Sequence, residues 1–211
     1  MTKPSPWTKF DELLEALAAE GALNRTVTVD ALEQFACSFP EDVDRDMYRG
    51  KLGVNLGRLG NLTKASEIIG AIENLHEKGE HWRKLAEEQF RANDRENAIL
   101  LLRRSEEAIN SLKPEHFWER AEVLSLNARL LEDFGLKEDA LAIWNRAIEV
   151  AKNGQATGTD SSDCSAVLTT IAKLLAESGR LDLAKSVADS ITIPVRRKLA
   201  LELIEKASLR K

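Results

Sequence analysis

Residues that staple, kink or stack a chain are scarce here. Only two cysteines occur in 211 residues, Cys37 and Cys164, far apart and outside any CxxC pair, which excludes a disulfide framework and a cysteine zinc motif. Lone cysteines usually behave as small buried hydrophobes; beside Phe35 and Ala36, Cys37 is expected inside, and Cys164, in a polar stretch, outside. Five prolines, one tyrosine and 5% aromatics are too little for a many-stranded sandwich or barrel. Two methionines exclude a Met-rich adaptable groove. No window approaches 18 uninterrupted apolar residues, so no membrane helix is expected. Asp11, Glu12 and Glu15 interrupt the N-terminal apolar stretch, which therefore does not read as a signal peptide, and a cytoplasmic location is the default expectation. Positive charge is in deficit, with 30 Lys and Arg against 35 Asp and Glu, a net charge of −5. That balance argues against a general nucleic-acid binder, which needs cations to displace counterions.

Catalytic signatures are missing as well. The chain has no GxSxG, GxxxxGK[ST], HExxH, or GxGxxG after a strand. His76 and His81 are five apart, a poor ligand spacing on one helix face, and the surrounding ENLHEKGEHW reads as a solvated turn rather than a metal site. No nucleophile and base stand together, so neither an enzyme nor a cofactor is expected.

What is present is helical periodicity. Apolar residues recur at three-and-four spacing at Phe10, Leu13, Leu14 and Leu17, at Ile68, Ile69 and Ile72, at Leu124, Ala128 and Leu131, and at Leu168, Ile171, Ala172 and Leu175. The one β-flavoured stretch, Thr26-Val27-Thr28-Val29, reads as the entry to a helix capped by Thr28 or Asp30. Pro114 and Pro194 open helices. Residues 153–163, NGQATGTDSSD, read as a long loop.

The breaks between helices are in register. Gly60, Asn93, Gly135 and Gly179 each stand five residues before an alanine: Ala65, Ala98, Ala140 and Ala184. Glycine and asparagine suit the left-handed backbone that ends a helix. Three residues beyond each alanine comes Ile68, Leu101, Ile143 or Val187, and twelve before it Gly53, Ala86, Ala128 or Ala172. With a weaker copy at Ala31, the alanines are 34, 33, 42 and 44 residues apart. A repeated helix, tight turn and helix predicts hairpins that stack to bury a continuous core, with the small residues allowing close backbone approach.

At these positions the sequence resembles the tetratricopeptide repeat family. The best second helix is GLKEDALAIWNRAIEVA, where Gly135, Ala140, Trp144 and Ala147 fall on the family's Gly, Ala, aromatic and Ala positions. Leu52, Gly53, Leu56, Gly60 and Ala65 match in another unit, as do Leu168, Ile171, Ala172, Gly179 and Ala184. Asn93, Asn127, Gln89 and Ser105 depart from the pattern. The expected fold is all-α: a right-handed α-solenoid of four to five stacked helix hairpins in a single domain over residues 1–211. It has a weak first unit at 7–45, repeats at 46–191 and a C-terminal capping helix at 194–209.

The resemblance implies that first helices line a concave groove. Lys51, Arg58, Arg83, Phe90, Arg91 and Arg129 would then cluster there, with Lys84 close by. Arginine grips carboxylates in pairs and Phe90 would supply an apolar anchor, so the expected function is a non-catalytic module that binds a peptide or protein segment, acidic in character. The alternative for these residues is a solvated charged face paired with Glu87, Glu88 and Glu132. Two alternatives stand for the whole chain. One is a structural module for self-association into a homo-oligomer. The other is a helical-repeat RNA binder, which Glu132, Asp133 and Glu177 oppose.

Overall fold

Helical periodicity in the sequence becomes helix in nearly every place that carries it. The computed structural model describes residues 6–19, 25–39, 42–156 and 161–209. The helices are α1 (Pro6–Ala19), α2 (Arg25–Cys37), α3 (Asp42–Arg58), α4 (Leu62–Gly70), α5 (Leu75–Arg91), α6 (Arg95–Asn110), α7 (Phe117–Asp133), α8 (Lys137–Ala156), α9 (Ser161–Glu177), α10 (Leu181–Asp189) and α11 (Pro194–Ser208). Among the described residues there is no strand, and no helix is long and apolar enough to cross a membrane. The protein is all-α. The chain divides into two compact units, Met1–Ser105 and Glu106–Lys211.

Four turns share one geometry. Gly60, Asn93, Gly135 and Gly179 have φ of 84°, 61°, 75° and 86°. After each, the next backbone N–H donates to a carbonyl five residues back, Asn61 to Leu56 and Leu136 to Leu131 at 2.9 Å each. Each turn residue also donates three residues back, Gly60 to Gly57 at 3.0 Å and Gly135 to Glu132 at 2.9 Å. This double closure ends a helix with its last carbonyls satisfied and immediately starts the next. Ala65, Ala98, Ala140 and Ala184, five residues on, are all completely buried.

In the first unit α3 packs on α2, α4 and α5. Its three glycines explain how it serves two neighbours. A Cβ on Gly53 would lie 2.5 Å from Ile69 Cγ1, one on Gly50 1.7 Å from His81 Cδ2, and one on Gly57 2.0 Å from Leu85 Cδ1. Gly53 thus admits α4, while Gly50 and Gly57 admit α5. An aromatic cluster closes the other side, with the rings of Phe10 and Phe39 centred 4.5 and 4.3 Å from that of Tyr48. In the second unit α7 packs on α8, α9 packs on α7, α8 and α10, and α11 packs on α9 and α10. Ala128, Ala172 and Trp144 are completely buried there.

Several sequence expectations require correction. The Thr26–Val29 stretch lies inside α2, which begins at Arg25, so neither Thr28 nor Asp30 is the cap. Burial of Val29, Leu32 and Ala36 outweighs the weak helix preference of β-branched residues, which is a few tenths of a kcal/mol each. Cys37 is exposed and Cys164 buried, the reverse of the composition argument. Cys37 accepts a hydrogen bond from Arg49 Nη2 at 3.2 Å, whereas the polar run around Cys164 is the first turn of α9. The expected loop at 153–163 shrinks, because α8 continues to Ala156 and α9 starts at Ser161; residues 157–160 lie outside the described residues. The ENLHEKGEHW segment is not a turn: α5 starts at Leu75 with Asn74 as its cap, and His81 is buried. Trp144 and Trp82 are core residues, while Trp118 is 45% exposed; the Trp7 side chain lies outside the described residues.

Candidate functional site

The six residues singled out from the sequence divide between the units. Lys51 and Arg58 are on α3, Arg83, Phe90 and Arg91 on α5, and Arg129 on α7. Arg58 and Arg91 come together at the C-terminal ends of α3 and α5, and Phe90 precedes Arg91 in the last turn of α5. There the close approach allowed by Gly57 brings the two helices within side-chain reach. Arg58 donates to Glu88 from Nε at 3.1 Å and from Nη2 at 2.9 Å, and Arg91 donates to the same carboxylate from Nη1 at 2.6 Å. Arg91 also pairs with Glu87.

Arg83 continues the ladder one turn earlier. It donates to Glu80 from Nη2 at 3.0 Å, and its Nη1 lies 3.7 Å from Glu87. Lys84 approaches Glu80 at 3.5 Å. The row therefore holds four cations and three carboxylates along one turn-by-turn face of α5 and the end of α3. Arg83 is largely enclosed, at 14% exposure, whereas Arg58 and Arg91 are 58% and 60% exposed. Glu88 is nearly buried. The hydrogen bonds from Arg58 hold its carboxyl below the usual range, and the charges of Arg58 and Arg91 add to that against the opposing effect of burial. Burial pushes Glu80 up, but the Arg83 hydrogen bond and the nearby cations outweigh it, and its carboxyl also ends low.

Lys51 lies 3.8 Å from Asp11. Arg129, in the second unit, donates to Glu177 of α9 at 2.9 Å. Glu132 is taken by Arg180. Of the carboxylates that the solvated-face reading names, Glu87 and Glu88 pair with Arg58, Arg83 and Arg91, whereas Glu132 pairs with Arg180 and Arg129 takes Glu177; for Arg83 and Glu88 the face is also more enclosed than that reading expects. Gly50, Ser125 and Thr169, each three residues before a small residue of its helix, are buried, and Gly50 faces His81 of α5. Among the described residues no group of three or more His, Cys, Asp or Glu is arranged to hold a metal ion.

No family model and no curated protein matches the chain. A solved structure is similar in fold: the crystal structure of Ton1535 from Thermococcus onnurineus NA1, at 16% identity and a TM-score of 0.61, covering 97% of this chain. This chain spans 58% of the length of that one.

Proposed function

We propose that the chain is a non-catalytic interaction module of the helical-hairpin repeat kind, related in plan to tetratricopeptide repeats, that binds an acidic peptide segment at the end of α3 and α5. The observation that carries this reading is the pair Arg58 and Arg91. One enclosed carboxylate, Glu88, holds both guanidinium groups in place while more than half of each side chain stays exposed. A held guanidinium loses less freedom on binding than a mobile one and presents its remaining N–H groups to a second carboxylate. Phe90, half-buried beside Arg91, supplies an apolar contact, and Arg83 steadies Glu87. Lys51 and Arg129 extend the basic contacts within their own units.

Fluorescence anisotropy with a labelled Glu- and Asp-rich peptide tests this. The full chain binds it, its Gln/Asn counterpart binds at least tenfold more weakly, and R58E/R91E loses the acidic peptide with an unchanged circular dichroism spectrum. Equal binding of the two peptides, or binding that survives R58E/R91E, sinks the reading. A structural role in self-association is the second reading. It is favoured by Val195 and Leu199, 72% and 39% exposed at successive turns of α11. It predicts a concentration-dependent mass in sedimentation that V195E/L199E abolishes and R58E/R91E leaves unchanged.

A further inference from the structure

We propose that the second unit carries a separate ligand site, a pocket of about 450 Å³ beside α7 and the end of α8 that takes the carboxylate of an organic monoacid on Arg120. The volume lies in the range of small-molecule sites, about 300–1,000 Å³.

The pocket's two arginines are not equivalent. Arg146 is already neutralised, donating to Glu106 at 2.6 Å and to the Asn110 side-chain carbonyl at 3.1 Å. Arg120 has no ion-pair partner among the described residues, and its Nε is fully buried with no acceptor. Buried N–H donors are nearly always satisfied, the more so when charged. Its Nη groups, which are not enclosed in this way, also have no acceptor among the described residues, and an acceptor placed in the pocket that Arg120 lines supplies them with one.

The walls define the rest of the ligand. Phe117 and Leu124 are buried and back the pocket, so they favour an apolar body behind the charged group. The seat of Phe117 depends on Gly154, where a Cβ would fall 2.5 Å from the ring. Glu149, exposed, also lines the pocket and adds negative charge at its rim. A planar guanidinium matches a carboxylate in two parallel hydrogen bonds, and the Glu149 carboxylate repels a second negative charge on the ligand. The combination selects a monocarboxylate over phosphate.

The probe is phenylacetate, titrated into the full chain while the arginine Nε–Hε resonances are followed by NMR. The expected result is a saturable shift of the Arg120 resonance. The neutral analogue phenylacetamide and inorganic phosphate each bind at least tenfold more weakly. R120Q loses phenylacetate at least tenfold, and E149Q, a surface change, narrows the gap to phosphate several-fold. R58E/R91E leaves the titration unchanged, which separates this site from the acidic-peptide surface. Absence of a saturable Arg120 shift in the wild-type chain, phosphate binding as tightly as phenylacetate, or wild-type affinity in a folded R120Q overturns the proposal.

Discussion

Arg58 and Glu88, 30 residues apart in the chain, are joined by two hydrogen bonds of 3.1 and 2.9 Å that tie the end of α3 to α5. Glu88 is nearly buried, and its Oε1 accepts from Arg91 as well as from Arg58. Removing one arginine leaves the carboxylate with a partner; removing both leaves an enclosed charge unpaired. R58A and R91A should each cost about 0.5–1.5 kcal/mol, and R58A/R91A more than their sum by about 1 kcal/mol. Urea unfolding of the four proteins measures the coupling, and strict additivity would show that the two arginines act independently.

Gly50 and His81 are matched by shape. A Cβ at position 50 would occupy the imidazole's place, 1.7 Å from Cδ2. Gly50→Ala should destabilise by about 2–4 kcal/mol by forcing α3 and α5 apart. Gly50→Ala combined with His81→Ala should recover at least about 1 kcal/mol of that loss, because the space is vacated. Thermal or urea unfolding reads both.

Acid should weaken the first unit in two steps. Burial pushes the His81 imidazole below its usual range, with the Lys84 charge acting the same way, while Glu77, 3.4 Å from Nε2, opposes. A histidine depressed in the folded state is protonated first in the unfolded chain. Its contribution is therefore fully present above about pH 6.5 and is lost as pH falls below that value. Glu77, held low by His81, and Glu80 and Glu88, held low by arginine, are depressed carboxylates. Their contribution is present above about pH 4.5 and is lost as pH falls through their folded values. Urea midpoints between pH 8 and pH 3 should show both declines, and His81→Gln should remove the upper one while retaining the lower.

The four turns separate backbone preference from packing. At Gly135 the position a Cβ would take has no heavy atom within 4 Å, and φ is 75°. Gly135→Ala should therefore cost about 1–2 kcal/mol from backbone strain alone. Asn93, at φ 61°, already carries a side chain there, so Asn93→Gly should change stability by less than about 0.5 kcal/mol. By contrast Ala172→Leu, at a completely enclosed position, should cost about 1–3 kcal/mol through overpacking. Melting curves that ranked Asn93→Gly as the most damaging of the three would contradict the turn geometry.

Helix placement was readable wherever a local rule acts over a few residues. The spacing from Gly60, Asn93, Gly135 and Gly179 to a buried alanine is a chain-local pattern, and the positive φ at each follows from what glycine and asparagine tolerate. Buried Trp144, Ala86, Ala128 and Ala172 were equally legible, because a 3.6-residue period marks which face turns inward. The candidate site was legible only as a set of residue types. The resemblance to helical repeats implied a shared concave face for Arg58, Arg83 and Arg91, and no local pattern decides which carboxylate each takes.

Those choices belong to the tertiary structure. Whether Gly50 faces solvent or His81, whether Cys37 or Cys164 is enclosed, and that Arg146 meets Glu106 across 40 residues while Arg120 meets no carboxylate among the described residues, depend on which helices pack together and at what distance. Local sequence sets the helices and their ends because dihedral preference and amphipathic period act within one or two turns. The pairing of charges and the shape of a pocket arise from side chains brought together from distant positions, and no short-range pattern encodes them.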